Sequence, residues 1–190
     1  MNLVVVICHF IEDLSWVKDL KHPYIIYNKN PKHNHKFEHN LPNVGFDTVA
    51  YLTYIIDNYD NLPDYVCFSQ DNPFYHCPSI LNKINDFKFD KEFVPLGISY
   101  ARDQMSILNR TIEYAEKNGI KITQPIKFIN SAQCIVSKKL ILSNEKDFYE
   151  RIRETLPKHE VKNETNYLVE YLWPSIFNFN EELNISFYNC

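Results

Sequence analysis

Short apolar runs, separated by polar turns, recur along the first seventy positions of the chain. Residues 3–8 (LVVVIC) and 65–69 (YVCFS) are continuous apolar runs, and the shorter run 24–27 (YIIY) lies between them. A continuous run rich in β-branched residues indicates a strand that is buried on both faces of a parallel sheet. These three segments therefore predict the centre of such a sheet.

Apolar residues at helical spacing follow these runs. Leu14, Val17 and Leu20 predict a helix over residues 14–20, and strand, helix and strand in that order form a parallel crossover unit. We therefore predict an α/β fold with a mostly parallel central sheet flanked by helices, as one domain spanning residues 1–190. Further along, the pattern predicts helices over 47–59, 103–118, 145–156 and 163–177, a strand over 132–136 and an edge strand over 93–98.

Residues 29–40 interrupt this pattern with a polar, histidine-rich segment, which predicts a mobile loop. Its histidines, with Cys8 and His9 elsewhere, raise the alternative of a metal-dependent hydrolase or a cysteine nucleophile. Their spacing matches no zinc pattern, and Cys8 lies in an apolar run where a cysteine acts as a small core residue.

Composition narrows the class of protein. The 190 residues are 45% hydrophobic, enough for a sizeable core, and three glycines leave little material for a glycine-rich phosphate loop. A net charge of −4 argues against nucleic acid or an anionic membrane as partner. Because no apolar run could cross a bilayer and the five cysteines are scattered, we predict a cytoplasmic protein with no membrane span and no disulfide.

Polar residues follow the third apolar run at once, as Gln70-Asp71-Asn72-Pro73. In open parallel sheets ligands bind at the carboxyl ends of the strands. The set is therefore a candidate binding site, although Asp-Asn-Pro is also an ordinary composition for a turn.

Four segments together resemble a domain-of-unknown-function family whose members look like minimal GT-A-type nucleotide-sugar glycosyltransferases. They are VVVICHFIEDLSWV, IIYNK, the long stretch LPNVGFDTVAYLTYIIDNYDNLPDYVCFSQDNPF with His76, and FINSAQCIVSKKLI with FYERI and VEYLWPSIF. The resemblance implies a GT-A-like fold and transfer of a sugar from a nucleotide-diphosphate sugar. The acceptor, whether glycan, protein or small molecule, stays open.

The resemblance also assigns the polar set a role. Gln70, Asp71 and Asn72 occupy the place where GT-A-type enzymes carry an acid-x-acid metal motif. It implies that Asp71 and Asn72 hold Mn²⁺ or Mg²⁺ and that Gln70 contacts the donor. Only Asp71 is a carboxylate here, yet these ions accept amide oxygens and are often held by one or two carboxylates plus substrate phosphates.

Five further residues are donor-binding candidates by the same resemblance: Glu12, Asp13, Asn43, Asp47 and His76. Glu12 and Asp13 lie just past the first strand, where such folds contact base or ribose, but acids also favour a helix start. Asp47 follows the tight turn at Asn43 and either reaches ribose or sugar or complements the helix dipole. His76 is a metal ligand, a phosphate contact or a structural histidine.

Glu170 is the candidate acceptor-side base. It lies at the border of the apolar face formed by Val169, Leu172, Trp173 and Ile176, where a carboxylate can look into a cleft. A surface glutamate is the simpler alternative. The rival to an enzyme as a whole is a non-catalytic sugar- or partner-binding module, which the amides on both sides of Asp71 would favour.

Overall fold

The computed structural model describes residues 1–97, 99–100, 105–122, 128–129, 132–157 and 164–179. Strands and helices alternate over most of these ranges. The strands are β1 (Leu3–His9), β2 (Tyr24–Asn28), β3 (His39–Asn40), β4 (Tyr65–Gln70), β5 (Phe93–Pro95), β6 (Ser99–Tyr100), β7 (Phe128–Ile129) and β8 (Cys134–Ser137). The α-helices are α1 (Phe46–Asp57), α2 (Ile80–Asn85), α3 (Met105–Lys117), α4 (Lys138–Ile141), α5 (Lys146–Thr155) and α6 (Glu164–Ile176).

Six of the strands form one sheet in the order β3-β2-β1-β4-β8-β5, and β6 pairs with β7 in a separate two-stranded sheet. β1 is parallel to both β2 and β4, and β2 is parallel to β3. The chain moves outward from β1 to β2 and β3 and then returns through α1 to β4, on the other side of β1. The gap between β1 and β4 is therefore the topological switch point of the sheet.

The prediction of a mostly parallel sheet is wrong, because the sheet is mixed. β8 runs antiparallel to both β4 and β5. All four residues of β8 are buried, as a strand covered on both faces requires. Burial on two faces makes the run apolar whichever way the strand points, so its sequence carries no signal of direction.

Alternate residues of β1 and β4 pack into two separate cores. Val6 and Phe68 face the larger core, which α1, α5 and α6 cover, and Tyr51, Trp173 and Phe177 ring it with stacked and tilted aromatics. Val5 and Ile7 face the smaller core, which the segment around Trp16 and α2 cover. The sheet is thus covered on both sides, as its continuous apolar strands predict.

Most predicted elements are confirmed within a few residues, including β5 at an edge of the sheet. The helix predicted over 14–20 is only a 3-10 helix at Ser15–Asp19. The helix predicted over 103–118 is α3, and positions 103 and 104 lie outside the described residues.

The histidine-rich segment is structured where a mobile loop was predicted. It holds a 3-10 helix at Pro31–Lys36 and the short strand β3. The fully buried Asn28 organises it, since its side-chain amide lies within 3.0 Å of acceptors on Asn30, Asn34 and Asn40. The contacts of this one buried amide therefore order the segment, and the hydrophobic periodicity gives no sign of them.

The cysteines also correct one prediction. Cys8, Cys67 and Cys134 are free and buried, but Cys77 is disulfide-bonded, so the expectation that no disulfide forms is wrong. Disulfides persist mainly in oxidising surroundings, which removes this support for a cytoplasmic location. Within the described ranges, none of the helices has the length and apolar character needed to cross a bilayer.

We expect Gly45→Ala to destabilise the protein more than Gly119→Ala. Both glycines are left-handed, with φ of 64° and 69°, so either alanine costs about 1–2 kcal/mol. At Gly45 an added Cβ would also lie 2.1 Å from Val49 Cγ2, whereas nothing lies within 4 Å at Gly119. Urea denaturation of both variants measures the difference, and equal losses would show that the α1 start tolerates the methyl group.

Candidate functional site

The carboxyl ends of β1, β2 and β4 meet at the switch point, and a polar cluster joins them. β1 ends at His9 and β4 at Gln70, with Asp71 directly after it. β2 ends at Asn28, followed by Lys29, and Asp47 enters from the first turn of α1. The parallel register that brings these ends together is also what brings these side chains together.

Asp71 fastens the loop after β1 to the end of β4. Its Oδ2 accepts hydrogen bonds from the backbone N–H groups of Phe10 at 2.8 Å and Glu12 at 3.1 Å. Its Oδ1 accepts from the N–H of Asn72 at 3.0 Å, and its carbonyl accepts from Trp16 Nε1 at 2.9 Å. Charge-assisted hydrogen bonds of this kind are the stronger ones, so Asp71 has a firm structural role at the rim.

His9 lies beneath the histidine-rich segment. Its ring is 4% exposed, stacks on His33 at 6.0 Å between centroids and contacts Phe37 at 5.1 Å. His9 Nδ1 lies 3.3 Å from Asp71 Oδ2 but makes no hydrogen bond to any described residue. The contact between His9 and Asp71 is a second link between the ends of β1 and β4, in addition to the hydrogen bonds of Asp71 to the loop after β1. It places His9 Nδ1 close to the carboxylate of Asp71.

Asp47 is the second carboxylate of the site. Its Oδ2 accepts a hydrogen bond from Gln70 Nε2 at 2.6 Å, and the thiol of Cys8 lies close to the same carboxylate. Burial raises the pKa of Asp47 above the ordinary 3.8, while the bond from Gln70, the nearby Cys8 thiol and the charge of Lys29 oppose the shift. Burial also raises the pKa of Cys8 well above its usual value, so this thiol stays protonated and is not a thiolate nucleophile.

Lys29 is buried, with 2% of its surface exposed, and shapes the turn that leads into α1. Its Nζ donates to the carbonyls of Val44 and Phe46, each at 2.5 Å. Burial lowers the pKa of Lys29, and the nearby Cys8 and Asp47 counter this effect. The turn holds Gly45 and also Phe46 at positive φ, which for a bulky residue costs on the order of 1–3 kcal/mol.

Gln133 braces the site from the antiparallel side of the sheet. This fully buried side chain accepts from the N–H of Gln70 at 3.3 Å and donates to the carbonyls of Pro73 and Leu96. It therefore fixes both the end of β4 and the turn that follows Asp71.

The structure separates the predicted donor-binding residues into two groups. Asp47 and Gln70 are in direct contact, and Asp71 follows Gln70. Asp13 instead accepts from the N–H and hydroxyl of Ser15, the first residue of the 3-10 helix. The side chains of Glu12 and Asn72 are exposed, Asn43 is half-buried, and the half-buried His76 lies edge-on to Tyr75, with a pKa lowered by burial.

Glu170 is half-buried on α6, and Val169, Leu172, Trp173 and Ile176 share the buried face that the spacing predicts. Tyr167 precedes Glu170 by three residues, which places both on one side of the helix. The ring of Tyr167 contacts Phe46, the residue before Asp47. The amino-terminal half of α6 thus borders the start of α1.

These residues fit a divalent ion only in a limited way. No group of three or more histidine, cysteine or acidic side chains that could hold a metal occurs among the described residues. Asp71 Oδ2 is occupied, whereas Oδ1 accepts one hydrogen bond and retains a lone pair. An ion carried in by a diphosphate and held by this one oxygen is compatible with the site, but a preformed metal cage is not.

The sequence pattern does not single out Lys29 or Gln133 as site residues, and it raises His9 only with Cys8 in the metal or nucleophile alternative. His9 directly follows an apolar strand in the same way as Asp71, so strand-end position alone is a signal for it. Lys29 lies just after an apolar run in the sequence, and only the fold places it under the α1 turn. Gln133 is a polar residue beside an apolar strand run, a pattern that indicates a buried hydrogen-bonding role.

An open groove of about 690 Å³ lies at the other end of β1 and β4, against Asn2, Tyr54, Asn58 and Asp64. In this groove Asp64 accepts a hydrogen bond from the backbone N–H of Asn2. This bond links the residues that directly precede β4 and β1. We place the candidate site at the carboxyl ends, because ligands bind at that end of open α/β sheets.

Fold and site together define an α/β protein with a polar switch-point site. The family model described as "Protein of unknown function (DUF3431)" matches residues 4–85 and 72–190, and the chain belongs to this family. Neither the curated proteins nor the solved structures contain a match. The family description names no activity.

We expect Asp47→Asn to gain stability relative to the unmodified protein as pH rises from about 4 to 7. Because its folded pKa is raised, the stability associated with neutral Asp47 is present at low pH and is lost as pH rises through that pKa. Asparagine cannot ionise and escapes this loss. Urea denaturation of both proteins across this range measures the difference in unfolding free energy, and a difference that falls with pH would contradict the buried-carboxyl account.

Proposed function

We propose that this protein is a GT-A-like glycosyltransferase that moves a sugar from a nucleotide-diphosphate sugar to an acceptor hydroxyl. The observation that carries the proposal is the meeting of Asp47, Gln70 and Asp71 at the switch point between β1 and β4. Ligands of open α/β sheets bind there. The long stretch from Leu41 to Phe74 resembles a domain-of-unknown-function family whose members look like minimal GT-A-type enzymes, and this favours the same class.

The donor would lie across the ends of β1 and β4. Asp47 and Gln70 present a carboxylate and an amide that can hold ribose or sugar hydroxyls. Asp71 Oδ1 and the exposed Asn72 would take a Mn²⁺ or Mg²⁺ ion that arrives with the diphosphate, and Glu12, Asn43 and His76 lie on the loops that would surround the donor. The ion would offset phosphate charge.

Glu170 would act as the base that accepts the proton of the attacking hydroxyl. Its support is its place on α6 beside Tyr167, whose ring contacts the start of α1. Asp13 has the weakest support, since its carboxylate is already bonded to Ser15.

A non-catalytic sugar- or partner-binding module is the second candidate. The observation in its favour is that both carboxylates already have protein partners, Asp71 through three backbone N–H groups and Asp47 through Gln70. Carboxylates engaged in this way can serve the fold alone.

We expect UDP-glucose or GDP-mannose to stabilise the protein against thermal unfolding, and Mn²⁺ to increase the effect. A ligand at about 100 times its dissociation constant adds roughly 2.7 kcal/mol. Asp71→Asn should abolish the Mn²⁺ increment, because the open carboxylate oxygen is lost. The exposed Asp60→Asn is the charge-matched control and should respond like the unmodified protein.

Two results would count against this assignment. If Asp71→Asn retains the full Mn²⁺ increment, Asp71 serves the turn rather than the metal. If no nucleotide sugar shifts the unfolding temperature of the unmodified protein, the binding-module candidate replaces the enzyme.

We expect Glu170→Gln to lower turnover by roughly 10²- to 10⁴-fold with donor affinity nearly unchanged, because a base matters only as the hydroxyl attacks. Steady-state rates and donor titrations on the same preparations separate the two effects. Glu154→Gln on α5 is the control for an exposed glutamate, and it should keep full activity. A Glu170→Gln protein with normal turnover would exclude this residue as the base.

A further inference from the structure

Two exposed aromatic rings lie together at the edge of the candidate site. Phe46 is 44% exposed and Tyr167 is 47% exposed, although both are large side chains. Their ring centroids are 5.6 Å apart and the planes are inclined at 53°. Single exposed aromatics are normal on a protein surface, but this pair joins α1 to α6 beside Asp47.

The backbone holds Phe46 in this exposed place at a cost. Its φ is 45° and follows the left-handed Gly45, so two successive residues have positive φ. The buried Lys29 donates to the carbonyls of Val44 and Phe46 and fixes the turn. Such conformations persist where the surroundings over-determine them, and they cluster at ligand-binding positions.

Residues with hydrogen-bonding side chains are neighbours of both rings along the chain. Asp47 follows Phe46 and is bonded to Gln70, while Glu170 lies one turn beyond Tyr167 on the same side of α6. Flat apolar rings next to carboxylate and amide groups match the chemistry of a sugar, which has an apolar C–H face and a rim of hydroxyls.

We propose that Phe46 and Tyr167 form a stacking platform for a pyranose ring, and that the acceptor of this protein is therefore a carbohydrate. A ring stacked on Tyr167 has its hydroxyls on the side of the helix that carries Glu170. The platform itself stands on the exposed pair and the strained turn; the identification of its ligand as the acceptor rests on the proposed function.

The test is binding of disaccharides to the 190-residue chain without any donor. Cellobiose, lactose, mannobiose and N,N′-diacetylchitobiose are titrated and followed by ligand-observed NMR. We expect at least one to bind, and Phe46→Leu and Tyr167→Leu each to weaken it about tenfold, as the loss of an aromatic stack predicts. Phe46→Tyr keeps a ring at the same backbone position and should keep the affinity.

Tyr24→Leu is the matched control, because Tyr24 is also 44% exposed but lies at the opposite end of β2. Thermal unfolding of every variant verifies that it is folded. The platform is refuted if none of the disaccharides binds, if Tyr24→Leu weakens binding equally, or if Phe46→Leu weakens UDP and leaves the disaccharides unaffected.

Failure of the enzyme proposal has a different signature. Disaccharide binding that depends on both rings, in a protein that turns over no nucleotide sugar, supports the platform and refutes the transferase. Turnover that is unchanged in Phe46→Leu and Tyr167→Leu refutes the identification of the stacked sugar as the acceptor and leaves the transferase standing.

Discussion

The carboxylate of Asp71 holds the switch point of the sheet together. Parallel strands β1 and β4 end side by side, and the backbone N–H groups of the loop after β1 have no strand partner there. Asp71 accepts two of these N–H groups, those of Phe10 and Glu12, and brings a charge to within 3.3 Å of His9. The hydrogen bonds at the strand ends therefore also form the rim of the site. A ligand at this rim can bond only to atoms that Asp71 does not already engage.

A polar cluster is buried beneath this rim, and the contacts among its residues offset the free-energy cost of burying them. Burial disfavours the ionised forms of both Lys29 and Asp47, and each lies near enough to the other to reduce that penalty. Lys29 also satisfies two turn carbonyls, and Gln70 satisfies Asp47. Removing any one member would leave a buried polar group unpaired, which typically costs more than its bond contributes.

The hydrogen bonds of Asp71 and Asp47 bear on the choice between an enzyme and a binding module. A catalytic site needs groups that can meet a substrate, and Asp71 Oδ2 and the Asp47 carboxylate are largely committed to the protein. The exposed rings of Phe46 and Tyr167 lie in contact towards α6, the helix that also carries Glu170. The proposed recognition of a sugar ring therefore does not depend on these committed carboxylates, whereas the proposed metal site depends on Asp71.

The sequence by itself determined the α/β class, the two-sided burial of β1 and β4, the buried face of α6 and the position of Asp71 at a strand end. Each of these follows from local periodicity or from a polar residue directly after an apolar run. Only the tertiary structure decided that β8 is antiparallel, that Asn28 orders the histidine-rich segment and that Lys29 is buried under the α1 turn. These features depend on which distant segments meet in the fold. The sequence around Lys29 is the same whether its ammonium group contacts water or two backbone carbonyls.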